Sequence, residues 1–246
     1  MKYTPHDIAR MIDVSVLKFD TTQQQVDDMI AACKTHDIGC AFAMPSYSAY
    51  LGEQLAGTST EFGTSLGFPS GQYHTDTKVQ EAKYFESLGA DQIDMVMNVG
   101  WLKSGMLKET LADLVAVREA APNTSLKVII EASLLTDEEI RTACRVVIES
   151  GAEYVKSGTG FAGVTTLHHV RVMRAAIEGN PIKFKVAGGV QDLKTLIAMK
   201  EAGAVERYGI GLKGTLHILE QAKSYPDGVN LSILENAEMA SSGEAY

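Results

Sequence analysis

Short apolar runs recur along the chain, and each is followed by a longer stretch in which apolar side chains return every third or fourth position. The first run, Ile8 to Val16, is rich in β-branched residues and predicts a strand closing in Asp13-Val14-Ser15-Val16-Leu17-Lys18. Thr21-Thr22 then caps a helical pattern (Val26, Met29, Ile30, Cys33) that stops near Asp37-Ile38-Gly39. Gly39 to Met44 is almost wholly apolar and is closed by Pro45, as suits a strand buried on both faces. A helix over 47–56 leads to a third strand, Glu61 to Phe68, and a helix with Val79, Ala82 and Phe85 leads to a fourth, Gln92 to Asn98.

The same alternation fills the second half. A helix from Trp101 to Ala121 precedes Leu126 to Ala132, and Thr136 with Glu139 forms a capping box for a helix ending near Glu149. Glu153 to Lys156 is the sixth strand, followed by a helix over 166–178. Ile182 to Gly189 is the seventh strand, and Asp192 caps the helix that runs to Gly203. Glu206 to Ile210 is the eighth strand, before a last helix from Leu212 to Lys223. Eight strand-then-helix rounds without a hairpin signal predict an α/β chain folded as one closed (β/α)8 TIM barrel over residues 1–228. The runner-up, an open doubly wound sheet, would usually carry a glycine-rich fingerprint after its first strand, and none is present. Gly-Ala pairs at 89–90, 151–152 and 203–204 read as helix C-caps. Residues 229–246, small and polar towards the end, read as a mobile C-terminal tail.

Length and charge narrow the partners. A chain of 246 residues suits a single barrel, and a net charge of -9 with no run of Lys or Arg argues against nucleic acid or an anionic membrane. No stretch reaches a membrane span and no apolar signal core follows the first residues, which predicts a cytoplasmic protein with a small-molecule partner. Cys33, Cys40 and Cys144 show no paired spacing and read as reduced thiols. His168-His169 are neighbours on a helix and face different directions, so neither a metal nor another cofactor is expected.

Active sites of such barrels lie at the C-terminal ends of the strands. Lys156 stands there, where a core-facing apolar residue would be expected, and an isolated buried ammonium costs several kcal/mol unless it is paired or neutral. Asp13, Asp94 and Lys185 end three other strands. Each alone reads equally well as a solvated strand end or a structural ion pair, but four converging at one mouth point to chemistry. Two lysines within about 7 Å would repel by roughly 2–2.5 kcal/mol, or about 1.5–2 pK units if one bears the whole shift. The freed amine could form a Schiff base, an electron sink for making or breaking a C–C bond, with Asp94 moving a proton through a water. Gly158, Gly160, Gly188, Gly189, Gly209, Gly211 and Gly214 surround the last three strand ends, where backbone N–H groups and a helix N-terminus often hold phosphate; plain turn geometry is the other reading.

These residues resemble the class I deoxyribose-phosphate aldolases over most of the chain. The likeness runs through Ile12-Asp13, Gly39-Cys40 with Pro45, Gly67-Phe68-Pro69 with Gly71, and Ile93 to Asn98. It continues through Lys127 to Glu131, Val155 to Gly160, Lys185 to Gly189 and Arg207-Tyr208-Gly209. The resemblance implies Lys156 as the Schiff-base lysine, Lys185 as the lysine that perturbs it and Asp94 as acid/base. It implies Asp13, Cys40 and Thr159 as site-lining residues, and Tyr246 as a proton-transfer residue on a mobile tail. The implied reaction is cleavage of 2-deoxyribose 5-phosphate to acetaldehyde and glyceraldehyde 3-phosphate. Three departures touch the presumed phosphate pocket: Gly158 in place of a hydroxyl residue, Gln191 in place of an arginine, and Gly211-Leu212 in place of a serine run. A related class I aldolase for a different sugar or aldehyde, unphosphorylated or differently placed, and a non-catalytic metabolite-binding barrel stay open. A homodimer is the expected assembly by base rate.

Overall fold

The computed structural model describes residues 1–243. Eight parallel strands close into one barrel in chain order: β1 Ile12–Val16, β2 Cys40–Ala43, β3 Glu61–Leu66, β4 Gln92–Val96, β5 Ser125–Ile129, β6 Tyr154–Lys156, β7 Lys183–Ala187 and β8 Arg207–Gly211. Pairing of β1 with β8, Asp13 opposite Gly209, completes the ring. Around it lie α1 Pro5–Met11, α2 Gln23–His36, α3 Ser48–Leu55, α4 Thr75–Ser87, α5 Val99–Lys103 and α6 Leu107–Ala120. The second half adds α7 Asp137–Glu149, α8 Leu167–Ile177, α9 Leu193–Gly203, α10 Leu212–Ala222 and α11 Leu231–Gly243.

Strand alternation separates two interiors. Val14, Ala41, Phe62, Ile93, Val128, Val155, Phe184 and Tyr208 are buried between sheet and helices, in one continuous apolar core. The alternate positions turn into the barrel and are unusually polar: Asp13, Asp94, Lys127, Lys156 and Lys185 are all buried. Lumens of this fold are ordinarily filled by Val, Ile and Leu. Here a layer of charge occupies that space.

Four local details differ from the sequence reading. Ile8 to Met11 belong to α1 rather than to the first strand, because Thr4 and Asp7 form a reciprocal capping box with Pro5 in the first turn. The long fourth helix is two helices, broken where Gly105 takes φ +73 after Ser104. At the third Gly-Ala pair the left-handed residue is Ala204, φ +49, and Gly203 remains helical; a Cβ on Gly203 would meet Val170 Cγ1 at 2.5 Å. The expected tail holds a helix, α11, against α9, and Val229 pairs with Tyr3. Among the described residues no helix is long and apolar enough to cross a membrane.

Candidate active site

Lys156 and Lys185 are register partners on β6 and β7, and both side chains turn inward towards β4. Their ammonium groups each donate to Asp94 Oδ2, at 2.7 Å in both cases. Lys185 also lies 2.6 Å from Asp13 Oδ2, to which Lys127 donates at 3.1 Å. Arg207 Nε is 3.0 Å from Asp13 Oδ1, an ion pair without hydrogen-bond alignment, and the guanidinium reaches Glu61 as well. Lys185 is covered by the Phe42 ring, whose centroid is 4.1 Å away. Gly63 and Gly209 make the room: a Cβ on Gly63 would strike the Phe42 ring at 2.3 Å, and one on Gly209 would meet Ala187 Cβ at 2.9 Å and Lys185 Cε at 3.5 Å.

The network divides the two lysines electrostatically. Burial is the strongest influence on Lys156 and pushes its ammonium down; Asp94 resists, Lys185 adds to the push, and the pKa settles at about 8. Burial also works against the Lys185 cation, but Asp13 and Asp94 outweigh it and raise its pKa. Burial penalises both aspartates, yet the surrounding cations win and hold both carboxyls below their usual range. Charge matching gives the same result. Asp13, Asp94 and Glu61 balance Lys127, Lys185 and Arg207, so a protonated Lys156 is the unmatched member. The sequence reading made the second lysine the main cause of the depressed pKa; in the structure desolvation comes first. Asp94 Oδ1 is buried without a hydrogen-bond partner, an acceptor beside the amine.

Two kinds of surface border this charge layer. On the β1 to β5 side, Phe68, Val96 and Ile129 form a separate apolar cluster with Leu17 packed on it. Phe161 meets Phe68 edge-on at 5.4 Å and Phe19, 75% exposed, lies 5.0 Å from Phe161. On the β6 to β8 side the loops are glycine-rich. Gly160 and Gly188 hold φ of +84 and +89, and a Cβ on Gly188 would stand 3.2 Å from Gly160 Cα. Gly189 and Gly211 are exposed there, and Lys213 lies in the first turn of α10.

Of the residues singled out from sequence, the structure brings Asp13, Asp94, Lys156, Lys185 and Gly209 into one lumen. Cys40 is the register neighbour of Asp13 and fully buried; burial and then Asp13 keep its thiol protonated. Thr159, Gly160, Gly188, Gly189 and Gly211 belong to the loops above. Tyr246 lies outside the described residues. His168 pairs with Asp137 at 2.8 Å on the surface, and no group of three or more metal-ligating side chains occurs among the described residues. Sequence reasoning gave no role to Lys127, Arg207, Glu61, Phe42 or Glu131. Lys127 was legible in principle, since it interrupts an apolar strand as Lys156 does.

The DeoC/LacD family aldolase model matches residues 8–219. A deoxyribose-phosphate aldolase of Brevibacillus brevis is 38% identical over 220 residues, 89% of this chain and 98% of that protein. One from Streptococcus uberis is 40% identical over 198 residues, 80% of this chain and 90% of its own length. The crystal structure of a putative deoxyribose-phosphate aldolase from Coccidioides immitis superposes with a TM-score of 0.86 at 33% identity, covering 91% of this chain and 88% of that one.

Proposed function

Because this chain belongs to the DeoC/LacD aldolase family, we propose that it reversibly cleaves 2-deoxyribose 5-phosphate to acetaldehyde and glyceraldehyde 3-phosphate through a Schiff base on Lys156. It is an aldolase, a carbon–carbon lyase. The observation that carries the assignment of roles is the shared contact of Lys156 and Lys185 with Asp94 Oδ2 at 2.7 Å. Burial, helped by the Lys185 cation, leaves Lys156 partly neutral near neutral pH, and the contact keeps a carboxylate beside it.

The steps follow from those positions. The neutral Lys156 amine adds to the aldehyde carbon of the open-chain sugar, and loss of water gives the iminium. Asp94 takes the proton of the C3 hydroxyl through a water as the C2–C3 bond breaks. The bonding pair moves into the iminium, leaving an enamine on Lys156 and releasing glyceraldehyde 3-phosphate. Protonation of the enamine carbon and hydrolysis then free acetaldehyde and the lysine. Lys185 stays charged throughout, disfavours protonation of Lys156 and holds Asp94. Asp13 holds Lys185 in turn, and Lys127 donates to Asp13.

The phosphate end of the substrate lies against the backbone N–H groups of Gly160, Gly188, Gly189 and Gly211, with Thr159 lining the same loop. Tyr246 assists enamine protonation from the tail, and its deletion lowers kcat. The assembly is a homodimer in the cytoplasm, tested by sedimentation velocity and cell fractionation. Borohydride trapping with acetaldehyde is the decisive experiment: a reduced adduct maps to Lys156 and is missing in Lys156→Ala. An adduct elsewhere would refute the assignment, and equal turnover of 2-deoxyribose and its 5-phosphate would refute the phosphate contact.

A further inference from the structure

Glu131 combines features that catalysis at Lys156 does not require. It follows β5 with φ +52 and ψ +58, a left-handed conformation costly for any residue with a Cβ. The residue is only 4% exposed, and no lysine or arginine among the described residues pairs with its carboxylate. Instead it accepts the Thr159 N–H, at 3.1 Å to Oε1 and 3.3 Å to Oε2, and the Thr159 hydroxyl. Residue 158 leaves space for this contact, since a Cβ on Gly158 would stand 2.9 Å from Glu131 Oε1. Two flanking backbone bonds stitch the same strand ends together: Ile130 N–H to the Lys156 carbonyl at 3.0 Å, and Ala132 N–H to the Ser157 carbonyl at 2.7 Å.

The pieces share one geometric effect. The strained turn after β5 points a carboxylate across to the chain immediately beyond Lys156, and Thr159 is the residue it grips. Gly160 comes next, and its Cα faces Gly188 on the neighbouring loop. Fixing Thr159 therefore fixes how the two glycine loops meet. We propose that Glu131 is a positioning residue for the β6–α8 loop and thereby for the phosphate end of the substrate, a role that rests on the phosphate contact assigned above. The departure at Gly158 is part of the same device, because a hydroxyl side chain there would crowd the carboxylate.

The test is acceptor preference in aldol addition of acetaldehyde, read as kcat/KM for glyceraldehyde 3-phosphate over kcat/KM for glyceraldehyde. In Glu131→Ala this ratio falls roughly tenfold, the scale of a lost charge-assisted hydrogen bond. Glu131→Gln, whose amide still accepts the Thr159 N–H and can donate to its hydroxyl, keeps the ratio within about threefold of wild type. Thr159→Val, a milder change that reports the same bracket if Glu131→Ala does not fold, lowers it by about threefold. Equal loss with both acceptors would reduce Glu131 to a structural residue and overturn the proposal. So would a Gln variant as impaired as the Ala variant, or an unchanged ratio in Thr159→Val. A wild-type enzyme without phosphate preference would overturn the phosphate contact and this role together, and the wild-type measurement alone identifies that case.

Discussion

Replacing Lys185 by Met keeps the bulk of the side chain and removes the second cation. Both ammonium nitrogens lie 2.7 Å from one oxygen of Asp94, which limits their separation to about 5 Å. At that distance and an effective dielectric near 20 the repulsion is about 3 kcal/mol, equivalent to about 2 pK units on Lys156 if Lys185 stays charged. Lys156 starts at about 8. Without Lys185 it rises to about 10, and its neutral fraction at pH 7.5 falls from roughly a quarter to roughly a third of a per cent, some seventy-fold. The assay is the rate of borohydride-trapped acetaldehyde adduct at Lys156 across pH. Wild type inflects near pH 8; Lys185→Met inflects near pH 10 and regains much of its labelling there. An inflection that remains within about half a unit of 8, in a variant that melts cooperatively, would refute the role of Lys185 and leave burial as the sole cause.

Three other outcomes follow from the same layer. The folded-state pKa of Lys156 is lowered, so the native chain holds fewer protons than the unfolded chain between about 8 and 10.5, and burial of this charge costs stability below that window. Lys156→Met is therefore inactive yet more stable than wild type at pH 7, by about 3 kcal/mol in urea melts, with the gap closing as pH rises through the window; a less stable variant would contradict this. Asp13 and Asp94 have depressed pKa values, so their contribution is complete above the unfolded value of about 3.9 and is lost as pH falls below it. Thermal melts stay level from pH 7 to about 4.5 and then drop, and Asp13→Asn shows a shallower acid decline; identical acid limbs would contradict it. Gly209→Ala pushes a methyl towards Ala187 and Lys185, costing about 1–3 kcal/mol of stability and at least about tenfold in kcat, measured by urea melts and turnover. A neutral result at Gly209 would mean the lumen has slack.

The outer interior of the barrel was readable because each strand's helix-facing positions are apolar and the intervening segments keep helical spacing. Asp13, Asp94, Lys156 and Lys185 stood out since each interrupts or ends an apolar run. The partners were not readable for a geometric reason. Lys127 and Asp13 are 114 positions apart and meet only across a closed lumen. Read along the chain, Lys127 and Glu131 were only charges at the ends of a strand; the turn that aims Glu131 at Thr159 depends on a backbone angle with no glycine to announce it. Thr4 and Asp7 did announce a helix start, but the β-branched residues just after them suggested a longer strand. The break in the fourth helix was legible but passed over, since Ser104-Gly105 is a stop signal within a pattern read as one helix from Trp101 to Ala121.

Asp13 stands on the first strand, and the cations that satisfy it come from β5, β7 and β8. During synthesis this carboxylate emerges early, while Arg207 is added only after most of the chain has been made. An amino-terminal fragment ending before β7 would have to bury Asp13 with Lys127 alone, and one ending before β5 would have to bury it with no cation at all. The ring thus resists settling into a partial barrel until its last strand arrives. The ions that surround the Lys156 amine also act as a checkpoint on completeness, withholding a dry interior from any unfinished or truncated copy.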